Sequence, residues 1–397
     1  MKRSHTPSAL VLAAALGTIA GTANAVDPMP VNQDGPVDFI PTLKVSQGYD
    51  DNVSETKDGE SSNVTKVAPT FLLRAQERAN RYQFRYTPTF ERYSHDSDNN
   101  RVNHFATATS RLILDARNRV NLGLSARRNQ QTIGESETET STLDEGDINE
   151  RLTLDGTYTF GARGAKGQIE LDGGYLWNRY ANNKPDTNSE EYDSPRAGAT
   201  FLWRVAPRTQ LLIEGRYADF DYVNGDPGNR DSKNLSALVG ARWQATAKTS
   251  GSVRVGREDK DFDAAGKDDT DANRWEAQVN WRPAAHSRVR LNTGNSIKEA
   301  SSDDENAIEQ TTYGLSWDYD WDGQVSSNVA YRFRDKDYVG PNTDRNDELH
   351  TVSVGVSYSF RRWLDFGFET RFKDNDSNDD PQDYDQNTYF LTATLSL

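Results

Sequence analysis

The chain contains no cysteine, and only two methionines and five histidines occur among its 397 residues. Without cysteine it forms no disulfide and carries no lipoprotein anchor. Apolar residues are also scarce, at 34% of the chain, against roughly 45–50% in globular proteins when glycine is counted. A chain of this length with so few apolar side chains cannot fill a thick hydrophobic core.

The N-terminus has the layout of a secretory signal peptide. Lys2 and Arg3 precede an apolar run at Ala9–Ala20, and Ala23-Asn24-Ala25 supplies small residues for cleavage after Ala25. The run is too short to anchor the chain in a bilayer. We therefore expect an exported protein from which residues 1–25 are removed.

Without those residues, 44 basic side chains face 61 acidic ones, a formal net charge of −17. Such a balance argues against nucleic acid as a partner, because nucleic-acid binding favours a basic surface. Forty aromatic residues and a regular alternation of apolar and polar residues argue against disorder. A closed sheet with a wet interior explains the low apolar content, since each strand then needs only one apolar face.

The alternation is clearest at Leu235–Ala245. In an extended strand its odd positions form a wholly apolar face, and its even positions form a mostly small or polar face that carries Arg242. Similar segments recur along the chain and give 18 strands of roughly ten residues, the length that a tilted membrane-spanning strand needs. The links alternate between short turns and long loops rich in Asp, Glu, Asn, Ser and Gly.

This pattern predicts an all-β fold, a transmembrane antiparallel up-and-down barrel of about 18 strands with short periplasmic turns and long acidic extracellular loops. The corresponding organisation is a signal peptide at 1–25, a short periplasmic lead at 26–38 and the barrel at 39–397. A β-propeller repeats at a similar period but needs four short strands per repeat, where this chain has two long ones. A soluble sandwich would require several domains, and no linker is visible.

An aromatic residue closes each of six strands just before a short turn, at intervals of 38–43 residues. In a barrel these rings lie at the same height, which predicts an interfacial aromatic girdle. Its predicted members are Phe160, Trp203, Trp243, Trp281, Tyr319 and Phe360.

Arginines dominate the polar faces of the strands, which we expect to line the lumen. One interpretation is a channel that favours anionic solutes, because guanidinium groups pair with carboxylates and phosphates. The other is that arginine–carboxylate pairs brace the barrel wall, and the sequence leaves both open. The predicted lumen-lining residues are Arg74, Arg85, Arg127, Arg151, Arg204, Arg216, Arg242, Arg254, Arg288, Arg290, Arg332, Arg334 and Arg371.

The sequence offers little support for catalysis, a cofactor or a metal site. The four histidines after the signal peptide have no metal-ligand spacing, and no Gly-x-Ser-x-Gly motif occurs. Asp374-x-Asp376-x-Asn378 resembles the start of a Ca²⁺ loop but lacks the glycine and closing glutamate of that motif. We interpret the acidic loops as solvated segments, and we expect no catalytic residue, cofactor or metal.

The first predicted hairpin carries Gly48-Tyr49-Asp50-Asp51-Asn52-Val53. With the signal peptide and the acidic-looped strands, this motif resembles the outer-membrane β-barrel porin-like family encoded in exopolysaccharide and capsule loci. The arginine-lined lumen is also similar to that of the alginate-export porin. The resemblance implies an outer-membrane barrel that helps an anionic exopolysaccharide cross, together with a periplasmic polysaccharide-export partner.

The expected function is therefore an outer-membrane channel that assists exopolysaccharide export. A general or small-solute porin, a structural surface barrel and an outer-membrane hydrolase are the alternatives. Outer-membrane lipid, lipopolysaccharide and the barrel assembly machinery are the other partners that this location implies.

Overall fold

The computed structural model describes residues 30–32, 35–95, 97, 99–135, 145–184, 186–224, 230–300, 305–341 and 343–396. The predicted signal peptide, residues 1–25, lies outside the described residues. Within them the chain forms 18 strands and three one-turn 3₁₀ helices, the helices at Ile133–Glu135, Asp186–Glu190 and Asp380–Gln382. No helix in these ranges is long and apolar enough to cross a membrane.

The strands are 12 to 16 residues long. In chain order they are β1 (Val37–Asp50), β2 (Ser62–Glu77), β3 (Asn80–Tyr93), β4 (Arg101–Ile113), β5 (Asn118–Gln130), β6 (Ile148–Phe160), β7 (Gly167–Tyr180), β8 (Tyr192–Ala206), β9 (Thr209–Tyr222), β10 (Ser232–Trp243), β11 (Thr249–Phe262), β12 (Thr270–Ala284), β13 (Ser287–Glu299), β14 (Ala307–Asp320), β15 (Val325–Val339), β16 (Asn346–Arg361), β17 (Leu364–Ser377) and β18 (Tyr384–Ser396).

The strands form one closed antiparallel barrel. Each strand pairs with its neighbours in the chain, and β1 pairs with β18 from Thr42↔Ser396 to Asp50↔Thr388. Closure leaves no unpaired edge strand, which a bilayer requires because an unpaired backbone group there costs several kcal/mol. The predicted fold class, an up-and-down barrel of 18 strands, is confirmed.

Short turns close one end of the barrel, called here the turn end, and the long links lie at the other, the loop end. Most strands extend further toward the loop end than the alternation indicates. The alternating segment Tyr389–Leu397 predicts a strand from Tyr389, but β18 begins at Tyr384. The alternating segment Thr351–Phe360 predicts a strand from Thr351, but β16 begins at Asn346. The apolar–polar pattern marks only the part of a strand that faces lipid, so it misses polar residues that pair above the membrane.

The two faces of the wall differ as the alternation predicts. Outward-facing side chains are apolar and exposed, with Leu391 at 68% and Ile213 at 65%, whereas the inward-facing neighbour Leu212 is 2% exposed. The sequence alone does not indicate which residues of β4 face the lumen, and the structure shows them. Arg101, Asn103 and Arg111 line the lumen, and the alternate residues face outward.

The loop end is not an open ring of solvated loops. Val53 from the β1–β2 loop is buried against Val64, Tyr93 and Phe390. Next to it Glu55 is 5% exposed and bonds to Lys373 and Tyr384. The expectation of solvated acidic loops is therefore wrong for Glu55, which has a buried cationic partner inside the barrel, whereas Asp58 and Glu60 of the same loop are exposed.

The end of β13 also lies inside the mouth. The pairing between β12 and β13 runs up to Trp275↔Asn295. Beyond it, Glu299 reaches Lys260 on β11 at 2.7 Å and Tyr222 on β9 at 3.0 Å. Lys260 is fully buried. These contacts link β13 to strands two and four places away and narrow the loop end.

Candidate functional site

A cavity of about 2980 Å³ lies inside the barrel. At the turn end it is lined by turn residues such as Arg163, Arg208 and Lys248, and at the loop end by Glu55, Glu190 and Gln382. The cavity therefore extends over the full height of the wall. The side chains that line it decide what it admits.

All thirteen arginines predicted to face the lumen lie on the inward face of their strands. Eleven of them line the cavity directly, and Arg74 and Arg290 are the other two. Their partners, however, divide them into separate groups. The division separates arginines that carboxylates or backbone groups hold from arginines without such a partner among the described residues.

On β7–β12 an equal number of lumen arginines and glutamates pair with one another. Four arginines and four glutamates form what we call the ion-paired arc: Arg216, Arg242, Arg254, Arg274, Glu170, Glu214, Glu258 and Glu276. Arg242 on β10 holds both oxygens of Glu170 on β7, at 3.0 and 3.1 Å. Arg216 on β9 holds both oxygens of Glu276 on β12, at 2.5 and 3.0 Å. Each pair spans three strand intervals, so the arc braces the wall and has no net charge.

Glu214 joins two arginines of this arc. Its Oε1 accepts from Arg216 and its Oε2 accepts from Arg254, both at 2.6 Å. Glu276 likewise accepts from Arg216 and Arg274. A connected network of charge-assisted hydrogen bonds satisfies each group more fully than isolated pairs would.

Three further arginines serve the fold. Arg204 donates to the carbonyls of Arg163, Ala165 and Pro207, and so fixes two turns. Arg290 pairs with Asp318 at 2.9 Å. Arg151 donates to Asn178 and to the Tyr192 hydroxyl. These side chains have little capacity left for a solute.

Another set of predicted arginines has no such partner. Arg332 and Arg334 on β15 and Arg371 on β17, here the arginine row, line the cavity. Within the described ranges none of the three makes an ion pair or a side-chain hydrogen bond, and the charges acting on Arg332 come from the other two. Only Thr351 and Ser353 of β16 separate Arg332 from Arg371 in the register. The row therefore concentrates positive charge on one side of the lumen.

Arg74, Arg85 and Arg288 also lack an ion pair within the part of the chain that the structure describes. They lie on β2, β3 and β13. With the arginine row they belong to the arc that runs from β13 through β18 and β1 to β3, opposite the ion-paired arc. The ion-paired arc is thus neutral, whereas the opposite arc carries six arginines that make no ion pair among the described residues.

The six predicted girdle residues lie on the outer face at the turn end. Phe160, Trp203, Trp281 and Phe360 are each about half exposed, at 46–50%. Tyr319 contacts Trp317 and Trp321, and His286 packs edge-on against it. The rule that takes the last aromatic residue before a short turn missed Trp317, Trp321 and Trp363. Trp317 lies two residues before Tyr319 on β14, and Trp321 and Trp363 lie within short turns.

The described parts of the acidic loops bring no set of metal ligands together. Asp374 and Asp376 face outward on β17, while Asn378 bonds to the backbone of Asp344 and Asn346. Across the described ranges no three or more histidine or acidic side chains are grouped to hold a metal ion. His104 and His350 lie on the outer face and bond to Tyr86 and Tyr331.

The closed 18-stranded wall, its apolar outer face and its charged full-height cavity define an outer-membrane, porin-like β-barrel channel. The chain belongs to the family described as "Putative beta-barrel porin 2", whose model matches residues 36–397. A comparison with curated proteins gives no match.

Several solved structures are similar to the chain. The outer membrane protein OpdK from Pseudomonas aeruginosa is 12% identical, and the match covers 91% of this chain and 99% of that one with a TM-score of 0.47. Pseudomonas aeruginosa OccK2 (OpdF) is 10% identical, covering 91% and 98% with a TM-score of 0.47. The FrpB iron transporter from Neisseria meningitidis is 13% identical with a TM-score of 0.45, and the match covers 85% of this chain but 62% of FrpB.

Proposed function

We propose that the barrel is a channel that carries anionic solutes across the outer membrane. The observation that supports this is the arginine row, in which three lumen guanidiniums lie near one another without a carboxylate partner among the described residues. Neighbouring like charges destabilise a sheet. Such an arrangement is therefore accounted for by a negatively charged solute that passes it.

The acidic character of the whole protein does not oppose this selectivity. Most carboxylates lie in the loops or on the outer face, and screening at physiological salt reduces exposed charges beyond about 8 Å. Inside the lumen, the glutamates of the ion-paired arc are already neutralised by arginine. The local field that a solute meets is that of the arginine row.

As the particular cargo we propose an acidic exopolysaccharide. Arg332, Arg334 and Lys336 occupy successive lumen positions on β15, about 7 Å apart along the strand. Repeated positive charges of this kind suit a polymer with regularly spaced carboxylates better than a single small anion. Assembly machinery, lipopolysaccharide and a periplasmic polysaccharide-export protein are the partners we propose with this role.

Ion selectivity tests the channel proposal. The purified barrel in a planar bilayer under a KCl gradient should give a reversal potential of the sign that Cl⁻ preference produces. A clear K⁺ preference would contradict the proposal. Current block then tests the cargo: oligogalacturonates should reduce the current and neutral dextrans of the same length should not. Anion selectivity without that block would indicate a small-solute porin instead.

A further inference from the structure

A second group of arginines lies at the turn end, away from the arginine row. Arg81 on β3 and Arg111 on β4 are directly opposite in the register, and Arg119 follows on β5. Arg163 lies in the β6–β7 turn and lines the cavity with Arg111 and Arg119. We call these four residues the turn-end cluster.

The four positive charges of this cluster repel one another, and none of the four side chains makes an ion pair among the described residues. The charges acting on Arg111 come from Arg163, Arg81 and Arg119, all of them positive. Like charges directly opposite each other on neighbouring strands destabilise a sheet. A structural role would favour a carboxylate at one of these positions, as in the ion-paired arc.

Two of the acids near the cluster are already engaged. Glu170, whose charge acts on Arg119, is held by both terminal nitrogens of Arg242. Asp115 accepts from the backbone amides of Arg117 and Asn118 in its own turn. Arg119 donates to the carbonyl of Gly161, which fixes its side chain at the mouth. None of these contacts neutralises the cluster.

The cluster faces the lumen, not the lipid. Arg81 and Arg111 alternate with Tyr82 and Leu112 on the same strands, and Tyr82 is an exposed outer-face residue. A phospholipid headgroup beside the barrel would meet Tyr82 before it met the guanidiniums. A soluble ligand entering the cavity from the periplasm would meet the guanidiniums first.

We propose that the turn-end cluster is a binding site for multivalent anions, at which anionic cargo enters the channel from the periplasm. Several guanidiniums converge at one opening and offer paired donors to carboxylate or phosphate oxygens. This inference rests on the proposed function, because it assigns an entry site and hence a direction to the same channel. Cargo bound here would pass the arginine row before it reached the loop end.

Side-specific block of the channel current by inorganic tripolyphosphate tests the site. The sidedness of the inserted barrel can be fixed with Gln324→Cys, because the chain has no other cysteine and residue 324 is exposed in a short turn and does not line the cavity. A membrane-impermeant thiol reagent then marks the turn end. We expect tripolyphosphate to block at lower concentration from the turn side than from the loop side.

The double variant R111Q/R163Q, in which both replaced residues line the cavity, should weaken turn-side block at least tenfold. Because it relieves like-charge repulsion, it should fold as stably as the parent barrel. The matched control R117Q/R362Q removes two exposed turn-end charges that do not line the cavity, and it should leave block unchanged. Equal loss of block in both doubles would overturn the proposal, since it would reflect general surface charge.

Two further outcomes would also contradict the site: block of equal strength from both sides, or block that follows the phosphatidylglycerol content of the bilayer. The second would assign the cluster to lipid headgroups. Failure of the channel proposal is distinguishable, because it appears as cation preference in KCl without any tripolyphosphate. An anion-selective channel without side-specific block would reject this site alone.

Discussion

Arg216 on β9 and Glu276 on β12 form a two-bond ion pair across three strand intervals of the lumen, although they lie 60 residues apart in the chain. Both side chains are partly buried, with 27% and 21% of their surface exposed. Their geometry identifies a pair that holds the curved wall together rather than one that waits for a solute.

A double-mutant cycle on this pair should therefore show strong coupling. Arg216→Met or Glu276→Gln alone should lower the free energy of unfolding by about 1.5–3 kcal/mol, because each removes one of the two charged partners of the side chain that remains. The double variant should recover at least about 1 kcal/mol of the summed loss. Urea unfolding in lipid vesicles measures this.

The outer pair Arg257–Asp271 provides the control for that cycle. Both side chains are more than half exposed, at 58% and 55%. Exposed pairs contribute about 0–1 kcal/mol, so the same substitutions there should have little effect. Equal coupling in both cycles would contradict the assignment of a bracing role to the ion-paired arc.

The outward orientation of β10 can be tested by inserting a charge. Val239 is 54% exposed on the outer face, midway along the strand. Val239→Arg should destabilise the barrel by about 2–4 kcal/mol, the cost of an arginine near the bilayer midplane. Ser252 on the neighbouring strand β11 lines the cavity, so Ser252→Arg should be tolerated. A larger destabilisation by Ser252→Arg than by Val239→Arg would mean that the lipid-facing and lumen-facing sides of the strands had been assigned the wrong way round.

Alternation along Leu235–Ala245 is sufficient to predict which face of β10 meets lipid, and equivalent patterns predict the strand count and the barrel. Pairing within the lumen is a different matter. Arg242 and Arg332 look alike in the sequence, but Arg242 is held by Glu170, whereas Arg332 has no ion-pair partner among the described residues. Partners three strands away depend on barrel curvature, which no local pattern encodes.

The motif Gly48–Val53 was the sequence feature that carried the family resemblance, and the structure gives it a physical role. Asp50 and Asn52 are both 5% exposed. The Asn52 side chain donates to the carbonyls of Thr56 and Asp385, and Val53 is buried beside Tyr93. The motif turns the β1–β2 loop into the mouth of the barrel. Spacing alone could not distinguish this inward loop from a solvated one.

Gly48 is required where the barrel closes. A Cβ added there would lie 2.2 Å from the Tyr389 carbonyl oxygen and 2.3 Å from the Phe390 ring. Gly48→Ala should therefore destabilise the β1–β18 seam by about 1–3 kcal/mol, seen as a lower unfolding temperature. Gly123→Ala meets no atom closer than 4.0 Å and should change the unfolding temperature little. Equal tolerance of both would contradict the close contact at the seam.

The inward β1–β2 loop should open at acid pH. Burial alone would raise the pKa of Glu55, but the charge and hydrogen bond of Lys373 and the hydrogen bond of Tyr384 outweigh it, so the pKa lies below 4.5. A carboxyl with a lowered pKa stabilises the folded loop above its unfolded pKa. That contribution is lost as pH falls below about 4.5 and through the folded-state pKa.

Hydrogen exchange of residues 51–61, corrected for the intrinsic rate, measures this opening. Protection in the parent should be constant from pH 7 to 5 and fall at lower pH. Glu55→Gln should cost the closed loop on the order of 3 kcal/mol, because it breaks a buried pair, and its weaker protection should not depend on pH. A parent loop equally protected at pH 3 and pH 7 would reject Glu55 as the cause.

The division of the lumen into a neutral ion-paired arc and a positive arginine row is tested most directly by the reversal potential of R332Q/R334Q/R371Q under a KCl gradient. The triple variant should lose most or all of the anion preference of the parent barrel. A triple variant with three outer or turn arginines replaced, R257Q/R117Q/R362Q, should keep it. Unchanged selectivity in R332Q/R334Q/R371Q would contradict the account.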